Sequence, residues 1–153
     1  MSDLRFTICE EDPGSSDAAA LMDELSEFLE SVTGRSGRAS FDPEGVRVPR
    51  AAFVVARDNN GVAIGCGAFR PMDETTAEVK RMYARNRGNG VGGAMLKYLE
   101  EKAREYGYSA LWLETGVENK KAVAFYESSG YKRIPNFGIY AGRNNSVCFE
   151  KRL

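Results

Sequence analysis

Between residues 87 and 93 the chain reads Arg87-Gly88-Asn89-Gly90-Val91-Gly92-Gly93. A strand pattern runs into this segment and a helix pattern runs out of it. Glycines let backbone N–H groups turn toward an anion and approach it closely. The N-terminus of the following helix adds about half a positive charge and several unpaired donors. Arg87 adds a guanidinium fork. A bare turn with a helix cap would not need glycine at this density, so the segment is expected to cradle a pyrophosphate.

The flanking patterns bound the architecture. Leu4 to Ile8 alternates apolar and polar residues as a short strand, and Asp12 to Asp17 is a turn offering N-caps. Ala18, Leu21, Met22, Leu25, Phe28, Leu29 and Val32 then recur on one helical face, with Gly34 as the stop. Residues 35–49 read as a loop with room for a short helical turn. Ala51 to Arg57 and Val62 to Phe69 are strands joined by the turn Asp58-Asn59-Asn60-Gly61, and Thr76 to Ala84 is the third strand of that meander. Val91 to Tyr106 is a helix ended by Gly107, Ala110 to Thr115 a strand, and Glu118 to Ser128 a helix ended by Gly130. Tyr131 to Ile134 and Val147 to Lys151 are the last strands. The order β-α-β-β-β-α-β-α-β-β places one βαβ crossover after a meander. This predicts an α+β chain with a mixed, mostly antiparallel sheet flanked by helices. With 153 residues and no internal linker, residues 1–153 are expected to form one domain.

Two nucleotide readings compete for the glycine loop. Gly88, Gly90 and Gly93 fit G-x-G-x-x-G, and Glu114 follows about 20 residues later, as in a dinucleotide fingerprint. That fold, however, places its loop after a buried, nearly continuous apolar strand. Here the strand is Glu78-Val79-Lys80-Arg81-Met82-Tyr83, which is too polar, and hairpins precede it. A Walker loop fails because no Gly-Lys-Ser/Thr follows.

Composition removes other chemistries. There is no His, so Ser-His-Asp and Cys-His catalysis and most zinc sites fall away together. Proton transfer is left to Glu, Asp, Tyr, Lys, Cys or water. A formal net charge of −1 supplies no basic field for nucleic acid or an anionic membrane, so neither partner is expected. Cys9, Cys66 and Cys148 are odd in number and scattered. With no apolar spanning run and no signal-peptide pattern at Met1 to Arg5, they suit a cytoplasmic protein.

From Ala77 to Leu153 the chain resembles the GNAT superfamily of acyl-CoA N-acyltransferases. The family's phosphate loop, Arg/Gln-x-x-Gly-x-Gly/Ala, matches Arg87, Gly90 and Gly92. Its later signature, Asn-x-x-Ala-x-x-(Phe/Leu)-Tyr-x-x-x-Gly-(Phe/Tyr), matches Asn119, Ala122, Phe125, Tyr126, Gly130 and Tyr131. The stretch before Arg87 is shorter than the family commonly shows and lacks a Pro. The resemblance implies a GNAT fold, acetyl-CoA as the acyl donor, a primary amine of a small molecule or peptide as acceptor, and often a homodimer. It implies Tyr126 as the acid that protonates the leaving thiolate, and Glu78 as the base acting through water. The alternatives are a Tyr126 that only packs beside Phe125, and an exposed strand Glu78 that only pairs with Lys80 or an Arg across the sheet. Glu114 is the second candidate base. Cofactor contacts are implied at Arg87, Gly88, Asn89, Gly90, Val91 and Gly92, at Asn119 (otherwise a helix cap), and at Tyr126. They are also implied at backbone groups of Met82, Tyr83 and Ala84, where the family often has a bulge. The apolar spacing Val79, Met82, Ala84 breaks strict alternation as one extra residue would. A non-catalytic acyl-CoA-binding module on the same fold is the remaining alternative.

For the acceptor, the expected walls are Arg35, Arg38 and Phe41 after the first helix, and the late loop from Pro135 to Tyr140. Arg35, Arg38 or Arg70 could hold a substrate carboxylate, although each also reads as a solvated surface charge.

Overall fold

The structure, a computed structural model, describes residues 5–85 and 89–153. Its elements in chain order are β1 (Phe6–Glu10), α1 (Ser16–Thr33), β2 (Ala52–Asp58), β3 (Ala63–Pro71), β4 (Thr76–Ala84), α2 (Val91–Glu105), β5 (Ala110–Gly116), α3 (Lys120–Ser128), β6 (Lys132–Ile134) and β7 (Ser146–Arg152). Single 3-10 turns at Arg38–Ser40, Pro43–Val46 and Gly138–Tyr140 interrupt the loops. The strands form one seven-stranded sheet in the order β1-β2-β3-β4-β5-β7-β6. Among the described residues only β4 and β5 pair in parallel, across the α2 crossover. The mixed sheet expected from the element order is therefore present, and the antiparallel neighbours of β4 and β5 remove the doubly wound dinucleotide reading. Among the described residues, no helix is long and apolar enough to cross a membrane.

The two sheet faces bury alternate residues of the same strands. Phe53, Val55, Cys66 and Ala68 pack under Ala18, Leu21 and Met22 of α1. Val54, Phe69, Val79, Leu113 and Phe149 pack with Leu96 and Leu99 of α2 and with Tyr126 of α3. The α1 helix forms where predicted: Ser15 Oγ accepts from the Ala18 amide at 3.1 Å, and Gly34 closes the helix in the left-handed region at φ 77°. The apolar stripe of α1 runs past the core, because Phe28 and Leu29 face a cleft and Val32 is exposed.

Some boundaries differ from the sequence reading. The first strand is Phe6–Glu10 rather than Leu4–Ile8, because its ladder with β2 continues to Glu10 opposite Val54. Leu4 lies outside the described residues. The helix expected from Glu118 starts at Lys120, because Asn119 is its cap. The loop of residues 35–49 holds two 3-10 turns instead of one.

The feature that shapes the molecule lies in β4. Cys66 pairs with Tyr83, and Ala68 with Lys80, so Gly67 alone faces Arg81 and Met82. This is the bulge that the Val79, Met82, Ala84 spacing predicted, and its extra residue returns all three side chains to the face carrying α2. Arg81 takes φ 54°, a left-handed conformation that costs a non-glycine residue about 1–3 kcal/mol. Its guanidinium offsets that cost by tying the bulge to α1. It donates to the Met22 carbonyl at 2.8 Å and to Ser26 Oγ at 2.5 Å. Opposite the bulge β3 has no room for side chains. A Cβ at Gly67 would lie 2.4 Å from Met82 Sδ, and one at Gly65 would lie 2.9 Å from the Tyr83 carbonyl.

Gly65→Ala is therefore expected to destabilise the protein by about 1–3 kcal/mol, because the contact is with backbone that cannot swing away. A lower urea midpoint with an unchanged slope checks this. An unchanged midpoint would show that the β3–β4 contact yields easily.

Candidate active site

Ahead of the bulge, β4 and β5 part. Their ladder holds only Thr76–Ala110, Ala77–Leu111 and Glu78–Trp112. Past those pairs, Val79 to Ala84 and Leu113 to Gly116 border a cleft of about 470 Å³. The facing edges carry backbone donors and acceptors with no ladder partner across the gap, which a ligand with amide groups can use. The cleft opens on both faces of the sheet, and the two sides differ in chemistry.

On the side of α2 and α3 the site is built from donors. Gly90 precedes α2 at φ 82°, a value that requires glycine, and no side chain caps the helix there. The Asn89 side chain accepts from the Val91 amide at 3.3 Å, and the first intrahelical bond runs from Ala94 to Gly90. The amides of Gly92 and Gly93 thus sit in a first turn whose donors have no helical acceptor. Among the described residues, a Cβ at Gly93 would meet nothing within 4 Å, and one at Gly92 would come no closer than 3.7 Å to the Phe125 ring. The glycines here leave open space beside free donors, which fits a pyrophosphate. Asn119 lines the cleft and also caps α3, its side chain accepting from the Ala122 amide at 3.3 Å. Tyr126 also does two things. Its ring packs against Phe125, Tyr131 and Phe149, and it lines the cleft. Burial pushes its phenol above the ordinary range, so it stays protonated at neutral pH.

The α1 side carries charge. Glu78 is 1% exposed. Arg70 reaches it across the sheet from outside the cleft and donates to Oε1 through Nη2 at 2.7 Å and Nε at 3.1 Å. Tyr140 Oη donates to Oε2 at 3.1 Å. Lys80 Nζ donates to Tyr140 Oη at 2.8 Å and lies 3.4 Å from Glu78 Oε2. Burial pulls the Lys80 ammonium below its usual range, partly offset by Glu78, and burial raises the Tyr140 phenol. Glu114 lines the same side from β5 and accepts from Ser146 Oγ at 2.6 Å. Trp112, Phe137 and Tyr140 stack in sequence and dock the β6–β7 loop over this cluster.

The cleft gathers Glu78, Met82, Tyr83, Ala84, Asn89, Gly90, Val91, Gly92, Asn119 and Tyr126, all named from sequence. Arg87 and Gly88 lie outside the described residues. Both ion pairs weighed for Glu78, with Lys80 and with a cross-strand Arg, are present, but Glu78 is buried rather than the exposed strand residue expected, because the β6–β7 loop with Tyr140 covers it. Of the expected acceptor walls, Arg35 and Tyr140 line the cleft. Arg38 instead pairs with Asp23 on the surface at 2.9 Å, and Phe41 packs against the α1 core. Lys80 was missed as a cleft residue. The signal was its position two after Glu78 on one strand, which gives both side chains the same face.

Residues 18–131 match the family model of the acetyltransferase (GNAT) family. An IAA acetyltransferase from Azospirillum brasilense is 34% identical over 150 residues, covering 96% of this chain and 97% of its own. The chain belongs to the GNAT family of acetyltransferases. A Klebsiella pneumoniae structure assigned as an acyl-CoA N-acyltransferase superposes with TM-score 0.82 at 31% identity, over 97% of both chains. A GNAT acetyltransferase from Elizabethkingia anophelis, solved with acetyl-CoA bound, shares the fold with TM-score 0.72 at 18% identity, over 99% of this chain and 100% of its own. In this GNAT domain the glycine-rich start of α2 and the parted strands occupy one cleft.

Lys80 makes a linkage prediction. Its folded pKa lies below the unfolded value of 10.5, so folding is penalised while the ammonium is charged, and the penalty fades as pH rises from the folded pKa toward 10.5. The stability of the wild type relative to Lys80→Met should therefore improve with rising pH over that window. Denaturant titrations of both proteins at stepped alkaline pH check the sign, and a flat difference would contradict the buried-ammonium account.

Proposed function

We propose that this GNAT enzyme takes the acetyl group from acetyl-CoA and passes it to a primary amine by direct attack within a ternary complex. The observation that supports this reading most is the parted β4–β5 edge. It opens to uncapped helix donors on one face and to a charged, enclosed pocket on the other. Acetyl-CoA supplies an activated thioester at that opening.

The reaction has three electrostatic requirements. An ordinary amine, with pKa about 10, must be neutral to attack. The developing oxyanion needs preorganised donors. The leaving thiolate, with pKa about 8.5, gains from a proton donor. The Gly92 and Gly93 amides, with Arg87, hold the pyrophosphate. Backbone groups of Met82, Tyr83 and Ala84 past the bulge bind the amides of the donor and the oxyanion. Asn119 fixes the start of α3, and Tyr126 presents a protonated phenol to the leaving sulfur. Two carboxylates stand on the acceptor side for the amine proton. Glu78 has both oxygens engaged by Arg70, Tyr140 and Lys80, so it receives a proton only through water or Tyr140. Glu114 keeps one oxygen clear of its bond to Ser146.

Incubation with acetyl-CoA and a panel of primary amines, followed by thiol release and by mass spectrometry of the acetylated product, tests the reading. Turnover of no amine by a protein that binds acetyl-CoA would leave a non-catalytic binder. Within a working assay, Tyr126→Phe should lower kcat by about 10²–10⁴-fold, with little change in the dissociation constant for acetyl-CoA. An unchanged kcat would remove Tyr126 as the proton donor.

A further inference from the structure

The acceptor side of the cleft has a charge pattern of its own. In the parallel register Glu78 stands opposite Trp112 as the last ladder pair. Two residues further along each strand, on the same face, are Lys80 and Glu114. They therefore look at one another across the opening. Laddered strands lie about 4.8 Å apart, and here the ladder has ended, so the two charges are spaced more widely than a contact pair.

Their internal partners leave both with binding capacity. Two cations, the half-exposed Arg70 and the buried Lys80, meet one buried carboxylate, Glu78, and Arg70 takes Oε1 of Glu78 with two bonds. The charge left over is that of Lys80. Its ammonium has three N–H donors. One goes to the neutral Tyr140 hydroxyl and one lies at the long distance of 3.4 Å from Glu78, leaving the third without an acceptor among the described residues. A buried ammonium with incomplete partners is costly unless an anion completes it. Glu114 has the opposite need. It accepts one hydrogen bond from Ser146 and makes no ion pair among the described residues. The pocket thus sets Lys80 and Glu114 a short span apart, beside the apolar Leu25, Phe28 and Leu29 of α1, while its other cations on this side, Arg35 and Arg81, are engaged by Glu118 and by Met22 and Ser26.

We infer that the acceptor carries a carboxylate as well as its amine, and that Lys80 holds the carboxylate while Glu114 receives the amine. This rests on the reading that the cleft acetylates an amine, and it narrows the acceptor to amino-acid-like molecules whose two groups are a few bonds apart. A polyamine would place a second cation against Lys80. A simple amine would leave the ammonium without its anion. Lys80 acts here as a specificity residue, contributing more to acceptor affinity than to the chemical step.

The test compares matched acceptors, such as phenylalanine with phenethylamine, in the full-length protein with acetyl-CoA as donor. The carboxylated member should have the higher kcat/KM by about tenfold or more, chiefly through KM. Lys80→Met should erase that preference and Lys80→Arg should restore most of it. Calorimetric binding of acetyl-CoA by each variant shows that it is folded. Equal or reversed preference in the wild type overturns the inference, as does a preference that survives in a Lys80→Met protein that still binds acetyl-CoA. Acetyl-CoA binding without turnover of any carboxylated acceptor also overturns it while leaving the donor site standing. A wild-type protein that does not bind acetyl-CoA sinks the underlying reading, and the inference with it.

Discussion

The ladder between β4 and β5 stops after Glu78 and Trp112, and the rest of the molecule is arranged around that lost pairing. Continued hydrogen bonding would be the default for adjacent parallel strands, because unpaired backbone groups are costly when dry. Here the bulge at Arg81 and Met82 bends β4 away. The arginine side chain that closes onto Met22 and Ser26 makes the bend part of the packing of α1. Glycines 65 and 67 remove the side chains that would oppose the bend from β3. The cleft is therefore a consequence of how three strands and one helix pack, and it is lined by edges held apart before any ligand arrives. Such preorganisation lets backbone donors stabilise developing charge with little rearrangement.

The opening separates two electrostatic environments. On the α2 and α3 side, the first-turn amides and the dipole of α2 favour anions. On the α1 side, the buried Glu78, Lys80 and Tyr140 form a hydrogen-bonded charged network that the half-exposed Arg70 closes from outside. Such networks often add little stability over an apolar alternative. In the proposed ternary complex, the thioester end of the donor would meet the acceptor where these environments adjoin.

Much of this was legible in the chain. Thr76 to Ala84 was bounded correctly, the broken alternation at Val79, Met82 and Ala84 announced the bulge, and Gly90 announced a left-handed turn before a helix. These are local signals, fixed by backbone conformation and side-chain period. What was not legible depends on long-range register. That β7 inserts between β5 and β6 follows from tertiary pairing, and without it nothing places Ser146 against Glu114 or the Tyr140 turn over Glu78. The choice of Arg70 over the other arginines for Glu78 needed the β3–β4 register, while Arg38 turned outward to Asp23. Lys80 was read only as a salt-bridge partner because the cleft that gives its direction meaning does not exist in one dimension.

The measurement closest to the central claim is thermal unfolding with and without saturating acetyl-CoA, with NAD as the control. A ligand at 100 times its dissociation constant stabilises a protein by about 2.7 kcal/mol. For a domain of this size that raises Tm by several degrees, on the order of 5–11 °C. The account predicts such a rise for acetyl-CoA and none for NAD. No rise with acetyl-CoA would contradict the claim that the parted strands and the glycine-rich helix start form a donor site.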